Sequence, residues 1–316
     1  MKRFISFLTA VSFVFFFASC GMNTQKDNSV QIISSVFPSY DFARQIIKGV
    51  DGVEVSMLIT PGTEPHSYEP SVPDMAKIKE CDLFIYLGGE SDQWVNALID
   101  TFDDKEINTL RMIECVDTLE SQTVEGMQGA EHHHHKHEGH HHHEQDEHVW
   151  TSPINAIKIS EEIKNKLVSL DSENAQKYQH NFNNYKAELL KLHNEFDSVL
   201  SADSTFVIAD RFPFRYLAEE YGFNYYAAFP GCSTESDPSA STIAFLETKT
   251  NEIKTNAVFY TEFSSQKVAD TLCEATDVKK LLIHSCHNVD RDDFNNGVTY
   301  VSLMKQNIKN FQEALK

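Results

Sequence analysis

The sequence predicts an α/β protein of two lobes, each built on a parallel sheet, joined by a long rigid α-helix. Short β-branched runs alternate with amphipathic stretches from residue 30 to residue 87, and the same alternation recurs from residue 205 to the end of the chain. This alternation indicates parallel sheets, because a helix between two strands returns the chain to the edge from which the next strand starts. Between the two regions lies a long segment with regularly spaced apolar residues and no proline or glycine, which predicts the connecting helix.

The N-terminal lobe is predicted to span residues 30–152 and the C-terminal lobe residues 203–316, with a helical region over residues 153–202 between them. In the first lobe the predicted strands are Val30–Val36, Val53–Ile59 and Leu83–Leu87, and the predicted helices are Tyr40–Lys48 and Pro73–Lys79. In the second lobe the predicted strands are Thr205–Ala209, Tyr225–Phe229, Ala257–Thr261 and Lys280–Ile283, and the predicted helices are Pro213–Tyr221, Ser241–Ile253, Ser265–Thr276 and one from Gly297.

The connecting helix is predicted over residues 175–202. Its apolar side chains recur at alternating spacings of four and three residues, at Tyr178, Phe182, Tyr185, Leu189, Leu192, Phe196 and Leu200. This spacing places them all on one face of a helix. The period also suits a coiled coil, but the α/β regions on both sides favour a connector that packs along both lobes. A stiff connector predicts limited closure on a ligand.

The composition excludes several classes of protein. Of the 316 residues, 41% are hydrophobic and 23% are charged, which is typical of a folded globular protein rather than a disordered or multi-span membrane chain. The formal net charge is −20, and this charge repels nucleic acid and anionic lipid. We therefore expect no nucleic-acid partner, and we expect a monomer.

The N-terminus predicts export. Residues 1–19 contain two basic residues, the apolar run Phe4–Phe17 and small residues before Cys20, which together indicate a signal peptide. The apolar run is shorter than the ~20 residues of a membrane-spanning helix, which is the alternative. The residues that precede Cys20 resemble the bacterial lipobox, so Cys20 is predicted to become the acylated N-terminus. The protein would then be anchored to a membrane through a flexible tether over residues 20–29, facing the periplasm or the cell exterior.

Five cysteines remain after the predicted cleavage. Cys81 and Cys115 adjoin apolar segments and are predicted to be small core residues. Cys232 and Cys286 lie in predicted loops of the C-terminal lobe and are the candidates for a disulfide in an oxidising compartment. The sequence contains no CxxC pair, so it gives no support to a thiolate zinc site.

Nine of the fifteen histidines lie within twelve residues of an almost entirely polar segment, residues 120–147. They are His132, His133, His134, His135, His137, His140, His141, His142 and His143. The segment has too few apolar residues to be buried, which predicts a disordered loop. Its imidazoles and carboxylates offer many overlapping weak sites for a divalent cation such as zinc. The alternatives are a solvated polar linker or a purification tag, and the internal position of the segment argues against a tag.

Three other histidines are placed where a defined metal site would form. His66 follows the predicted strand Val53–Ile59, His148 follows the histidine-rich segment, and His284 ends the predicted strand Lys280–Ile283. Ligands of parallel α/β sheets bind outside the carboxyl ends of the strands, so these imidazoles are predicted to converge there. Three neutral imidazoles favour zinc over manganese, which prefers oxygen ligands.

Four segments of the sequence carry a resemblance to a known family. They are SSVFPSYDFA from Ser34, PGTEPHSYEPSVPDMAKIKECDLFIYLGG from Pro61, HVWTSP from His148 and VIADRFPFRYLAEEYG from Val207. They resemble the solute-binding lipoproteins of ABC transporters that import zinc and manganese, over nearly all of the chain after the signal. In that family the histidines that match His66 and His148 bind the metal between two α/β lobes joined by a long helix. A histidine-rich loop before the second histidine marks the zinc importers.

The resemblance leaves one ligand unmatched. The family's third ligand, a histidine or glutamate, is matched by Ala209, which cannot coordinate a metal. The family's fourth position, usually an aspartate, is matched by His284. We therefore expect His284 to complete a three-histidine set, with Glu262 and His287 as further candidates.

The resemblance implies a binding protein that captures Zn²⁺, or less readily Mn²⁺, and delivers it to the permease of an ABC importer. A zinc hydrolase is an alternative, because three protein ligands and a water also form a catalytic site. No predicted helix carries an HExxH motif and there is no GxSxG motif, so we predict that the chain is not an enzyme. An extracellular metal buffer or adhesin is the other alternative, which the neighbouring genes would distinguish.

Overall fold

The computed structural model of the chain describes residues 29–99, 101, 107–128, 145–233 and 237–316. It confirms two α/β lobes, each with a parallel four-stranded sheet, and a long helix that joins them. The predicted signal peptide, Cys20 and the histidines between residues 132 and 143 lie outside the described residues. No helix within the described ranges is both long enough and apolar enough to cross a lipid bilayer.

The N-terminal sheet has its parallel strands in the order β2-β1-β3-β4. The strands are β1 (Val30–Ser34), β2 (Val53–Met57), β3 (Leu83–Tyr86) and β4 (Thr109–Arg111), and the helices are α1 (Phe37–Ile46), α2 (Val72–Glu80) and α3 (Gln93–Ile99). The sequence pattern does not predict β4 or α3, because each is short and neither shows a clear apolar period. Helix α1 covers one face of the sheet, and α2 and α3 cover the other.

Two helices lead from the first lobe to the second, namely α4 (Pro153–Leu170) and α5 (Ala175–Asp197). The Ser152 side chain caps α4 by accepting a hydrogen bond from the Asn155 backbone N–H at 3.0 Å. Helix α5 begins where the sequence predicts and ends at Asp197 rather than at residue 202. All the apolar residues that predict its inner face, from Tyr178 to Leu200, are buried.

The C-terminal sheet repeats the order of the first, as β6-β5-β7-β8. The strands are β5 (Thr205–Phe212), β6 (Asn224–Pro230), β7 (Ala257–Tyr260) and β8 (Lys279–Leu282), and the helices are α6 (Arg215–Tyr221), α7 (Ala240–Ile253), α8 (Lys267–Thr276), α9 (Arg291–Asn295) and α10 (Tyr300–Ala314). Because both sheets are parallel, each lobe presents the loops after its strands at one edge. The histidines of the site lie in such loops or beside them.

Helix α5 is attached to both lobes. The Asn181 side chain donates hydrogen bonds to the carbonyls of Ile46 and Lys48, at 2.9 and 2.8 Å, where α1 ends. Farther along α5, Nδ1 of His193 lies 2.6 Å from the Glu220 carboxylate on α6. One continuous apolar core includes residues of both sheets and of α4, α5 and α10. The two lobes therefore share a core with the connecting helices.

This packing predicts a sharp contrast between two adjacent leucines of α5. Leu189 is fully buried, whereas Leu190 is 40% exposed. Leu189→Ala should lower the free energy of unfolding by about 3 kcal/mol, because it leaves a cavity in the shared core. Leu190→Ala should change it by less than about 0.5 kcal/mol. Urea denaturation of both variants measures the difference, and equal effects would contradict the placement of α5.

Candidate metal centre

Three histidines from separate parts of the chain meet between the lobes. His66, His148 and His287 each offer a ring nitrogen, and these nitrogens lie within 4.8 Å of one another. The ring centroids are 5.5 Å apart for His66 and His148, 4.8 Å for His66 and His287, and 5.5 Å for His148 and His287. Four-coordinate zinc binds imidazole nitrogens at about 2.0–2.1 Å, so small side-chain shifts would let all three reach one ion.

His66 is held in a one-turn 3₁₀ helix, Pro65–Ser67, that follows β2. The Glu64 carboxylate caps this turn, and its Oε1 lies 2.7 Å from Nδ1 of His66. Burial favours the neutral acid, but the hydrogen bond from His66 and the charges of His66 and Arg211 lower the pKa of Glu64. An ionised Glu64 fixes the proton of His66 on Nδ1, which leaves the Nε2 lone pair for a metal.

His148 precedes a 3₁₀ turn, Val149–Thr151, that leads into α4. Asp146 accepts from its backbone N–H at 2.9 Å, and the same oxygen lies 3.0 Å from Nδ1 of its ring. Burial opposes protonation of His148, but the charge and hydrogen bond of Asp146, followed by Cys232, raise the pKa of His148 well above its ordinary value. The ring is therefore oriented, like that of His66, by a carboxylate at Nδ1.

His287 lies in the segment after β8, and its imidazole contacts the indole ring of Trp150 with the ring centroids 4.8 Å apart. Burial, then the charges of His66, His148 and Arg211, hold the pKa of His287 well below its ordinary value. The imidazole is therefore neutral at physiological pH, which is the form that binds metal.

Four buried ring nitrogens of the clustered imidazoles have no hydrogen-bond partner among the described residues. They are Nε2 of His66, Nε2 of His148 and both ring nitrogens of His287. A buried polar atom without a partner costs free energy, so unpartnered atoms that converge indicate a missing ligand. Three imidazole lone pairs backed by carboxylates fit a divalent cation, and they fit zinc in particular.

The structure places His284 outside the cluster, contrary to the expected convergence with His66 and His148. His284 is buried outside the cluster, where its Nδ1 accepts a hydrogen bond from the Cys286 backbone N–H at 2.9 Å. Its own backbone N–H and carbonyl are both bound by the Asn307 side chain on α10. The chain turns at Cys286, which has a φ of 62°, and this turn directs His287 toward the other imidazoles.

Ala209 does not lie in the crevice, where the match to the family's third ligand would place it. Strand β5 runs on to Phe212 with a register shift between Ile208 and Arg211, so Ala209 packs under α7 and α8 rather than in the crevice. Arg211 lines the cavity instead, with Nη1 3.3 Å from Oε1 of Glu64.

Glu262 lines the same cavity, but its carboxylate accepts hydrogen bonds from the Ser285 backbone N–H at 2.9 Å and from the Ser285 hydroxyl. Its Oε1 lies 3.5 Å from Nδ1 of His284. Within the described residues, no oxygen of Glu262 comes within 4.0 Å of a nitrogen of the three clustered imidazoles. Glu262 therefore supports the segment that carries His287.

The predicted disulfide between Cys232 and Cys286 is absent, because both residues are free thiols. Cys286 is fully buried in the core, whereas Sγ of Cys232 lies 3.9 Å from Nδ1 of His148. Asp146, His148 and Cys232 form a second group with metal-binding atoms within 4.8 Å. That group uses the Nδ1 atom that already bonds to Asp146, so it orients His148 rather than forming a separate site.

The sequence analysis missed four charged residues around the centre. Glu64 and Arg211 were given no role, and Asp146 and Glu147 were assigned to the histidine-rich loop, although both are buried. The two ends of the histidine-rich loop are ordered, since Glu120 and Gln145 form an antiparallel bridge. A spacing that occurs twice in the sequence would have identified two of these four charged residues. Glu64 and Asp146 each stand two residues before a clustered histidine.

Comparisons with known proteins identify the family of the chain. The family model of the zinc-uptake complex component A periplasmic, ZnuA, matches residues 32–314. The zinc-binding lipoprotein AdcA of Streptococcus pneumoniae strain R6 is 32% identical over 315 residues, which cover 99% of this chain and 61% of that protein. The chain thus spans less than two thirds of the length of that relative.

In two further matches, the alignment covers at least 90% of this chain and of the matched chain. The high-affinity zinc uptake system protein ZnuA of Bacillus subtilis is 30% identical over 305 residues, covering 94% of this chain and 93% of that protein. The crystal structure of the Zn(II)-bound ZnuA-like domain of S. pneumoniae AdcA is 30% identical with a TM-score of 0.72, and covers 90% of this chain and 98% of that chain. The chain therefore belongs to the ZnuA family.

Proposed function

We propose that the protein is an extracytoplasmic solute-binding protein that captures Zn²⁺ and delivers it to the permease of an ABC importer. The observation that carries the proposal is the convergence of buried imidazole nitrogens of His66, His148 and His287 that lack any partner among the described residues. The names of the relatives, a zinc-binding lipoprotein and a zinc uptake system protein, support the same cargo.

The ligand set favours zinc over manganese. Imidazole nitrogens suit zinc, whereas manganese prefers a larger, oxygen-rich set of ligands. Here Glu64 and Asp146 each bind Nδ1 of a histidine, so their oxygens orient ligands rather than bind the ion. Titration with both metals in competition tests the preference, and equal affinities would contradict it.

The arrangement favours binding over hydrolysis. A catalytic zinc keeps an open position for water and needs a base beside it. In the described part of the site, Glu64, Asp146 and Glu262 are each held by hydrogen bonds to neighbouring groups, and the imidazoles of His148 and His287 are almost completely buried. A metal buffer or adhesin remains the second candidate, and zinc-limited growth of a deletion strain separates it from import.

Acylation of Cys20 is proposed as the membrane anchor, with the protein facing the periplasm or the cell exterior as a monomer. The strong negative charge of the protein gives anionic lipid no reason to hold it, so attachment would depend on the acyl chains. Mass spectrometry of the N-terminal peptide from native membranes tests the modification.

The geometry predicts opposite outcomes for the two histidines after β8. His287→Ala should weaken zinc binding on the order of 10² fold, because it removes one of three imidazole ligands. His284→Gln should change the affinity by less than about tenfold, because that side chain faces Cys286 rather than the centre. Competition with a chromophoric chelator measures both variants. A larger loss in His284→Gln would restore His284 as the ligand.

Deletion of residues 131–144 should remove the weak zinc equivalents and leave one tight equivalent. The deletion spares Gln145, which bridges to Glu120, and the buried Asp146 and Glu147. A deletion that extends through Glu147 should weaken the tight site as well, because it removes the carboxylate that orients His148. Calorimetric titration of both deletions decides the point, and loss of the tight phase in the shorter deletion would place the principal site in the loop.

Zinc affinity should fall roughly tenfold for each unit of pH below neutrality, with release of about one proton per ion bound. The raised pKa of His148 means that its imidazole is protonated in the metal-free protein, so zinc must displace that proton. The lowered pKa of His287 means that this imidazole is already neutral. Calorimetry in buffers of different ionisation enthalpy counts the protons, and an affinity unchanged between about pH 7 and about pH 5 would indicate a carboxylate-dominated site.

A further inference from the structure

Glu147 is a buried carboxylate at the metal centre to which nothing described so far gives a role. Its side chain is completely buried, and its Oε2 accepts a hydrogen bond from the Ser91 backbone N–H at 3.0 Å. The Ser91 hydroxyl donates to Oε1. That same Oε1 lies 3.6 Å from Nε2 of His66, which is the nitrogen that faces the centre.

The charge of Glu147 is not compensated by any lysine or arginine. Among the described residues, the only basic nitrogen within 4.0 Å of its carboxylate is Nε2 of His66. His66 pairs with Glu64 through Nδ1, so in the neutral imidazole that binds a metal the Nε2 atom carries a lone pair rather than a proton. A lone pair facing a carboxylate oxygen is repulsive, and a buried carboxylate that has hydrogen bonds but no counter-charge is costly. A cation between the two atoms would remove both costs.

The chain leaves space for this carboxylate. A Cβ atom at Gly89 would lie 2.3 Å from Oε2 of Glu147, closer than any real contact of that kind. The backbone of Gly89 has an ordinary φ of −90°, so its conformation does not require glycine. The absent side chain instead admits Glu147 to the position beside His66.

The other carboxylates of the site are placed for other roles. Glu64 and Asp146 bind the Nδ1 atoms of His66 and His148, on the side of each ring away from the centre. Glu262 is held by Ser285. Of these residues and Glu147, only Glu147 brings an oxygen within 4.0 Å of a nitrogen that faces the centre.

We propose that Oε1 of Glu147 is the fourth ligand of the bound ion and completes a His₃Glu set with His66, His148 and His287. Ligand atoms of a tetrahedral zinc lie about 3.4 Å apart, so the 3.6 Å between Glu147 and His66 needs little adjustment. The inference rests on the proposed function and extends it. A fourth protein ligand leaves no position for water, which suits an ion that is carried rather than used in catalysis.

The test uses the protein without residues 131–144, titrated with Zn²⁺ against a chelator. Glu147→Gln should weaken binding on the order of 10² fold, since loss of an outer-shell partner alone costs roughly 10- to 100-fold. Ser91→Ala removes a hydrogen bond to Glu147 but keeps the ligand and the bond from the Ser91 backbone N–H, so it should cost about tenfold, the lower end of that range. Glu262→Gln keeps all four proposed ligands and alters only the support of the segment that carries His287, so it should weaken binding less than Glu147→Gln does.

Two further measurements separate a ligand from a structural residue. Without metal, Glu147→Gln should melt at the same temperature as the parent or higher, because it removes an uncompensated buried charge. Its melting temperature should rise less on addition of zinc. With Co²⁺ bound, the visible spectrum of the parent should not change between neutral and alkaline pH. In Glu147→Ala a water should replace the carboxylate, and its ionisation should make the spectrum depend on pH.

Each of these measurements can contradict the assignment of Glu147 as a ligand. Parent affinity in Glu147→Gln, a lower melting temperature of the metal-free variant with an unchanged zinc-induced rise, or a larger affinity loss in Glu262→Gln would each overturn the assignment of Glu147. Parent protein that lacks any tight zinc equivalent would overturn the proposed function and this inference together. A tight parent site that tolerates Glu147→Gln would overturn the inference alone.

Discussion

The rest of the site depends on one constraint, which is that imidazole nitrogens are buried where no protein group meets them. His148 and His287 are almost inaccessible to solvent, and their nitrogens that face the centre have no partner among the described residues. Exposed nitrogens would form hydrogen bonds with water. Their burial without a partner costs free energy, which indicates that they serve to bind a ligand. A divalent ion would supply the missing interaction at one nitrogen of each imidazole at once. Zinc binding is therefore more favourable, because it relieves the desolvation cost that these nitrogens have in the metal-free protein.

The carboxylates beside the histidines set which nitrogen is available. Glu64 and Asp146 each bind Nδ1 of the histidine two residues later, so both rings direct Nε2 to the centre. Because a short local spacing produces this arrangement, the orientation of each ring depends little on the distant parts of the fold. Within the part of the chain that the structure describes, His287 has no such carboxylate. Its ring is positioned by packing against Trp150, whose indole N–H donates to the Ser285 carbonyl at 2.8 Å.

The sequence was sufficient where a pattern is periodic or local. Strands, helices and the stripe along α5 follow from apolar spacing, and the position of His66 after a strand follows from the edge rule for parallel sheets. His287 rather than His284 lies in the cluster for a backbone reason. Cys286 adopts a positive φ, which a non-glycine residue rarely does, and this turn exchanges which histidine reaches the centre. No apolar period reports such a turn, nor the register shift that replaces Ala209 by Arg211 in the crevice.

The lobes are braced across the site by bonds that do not involve a metal. The Phe37 N–H donates to the His287 carbonyl at 3.2 Å, and the Asn288 side chain donates to the carbonyls of Thr60 and Thr63. Arg211 adds an ion pair from the second lobe to the loop that holds His66. With α5 fixed to both lobes as well, the ligands stand close to their binding positions before the ion arrives. Selectivity then comes from a preformed set of nitrogens rather than from closure of a cleft.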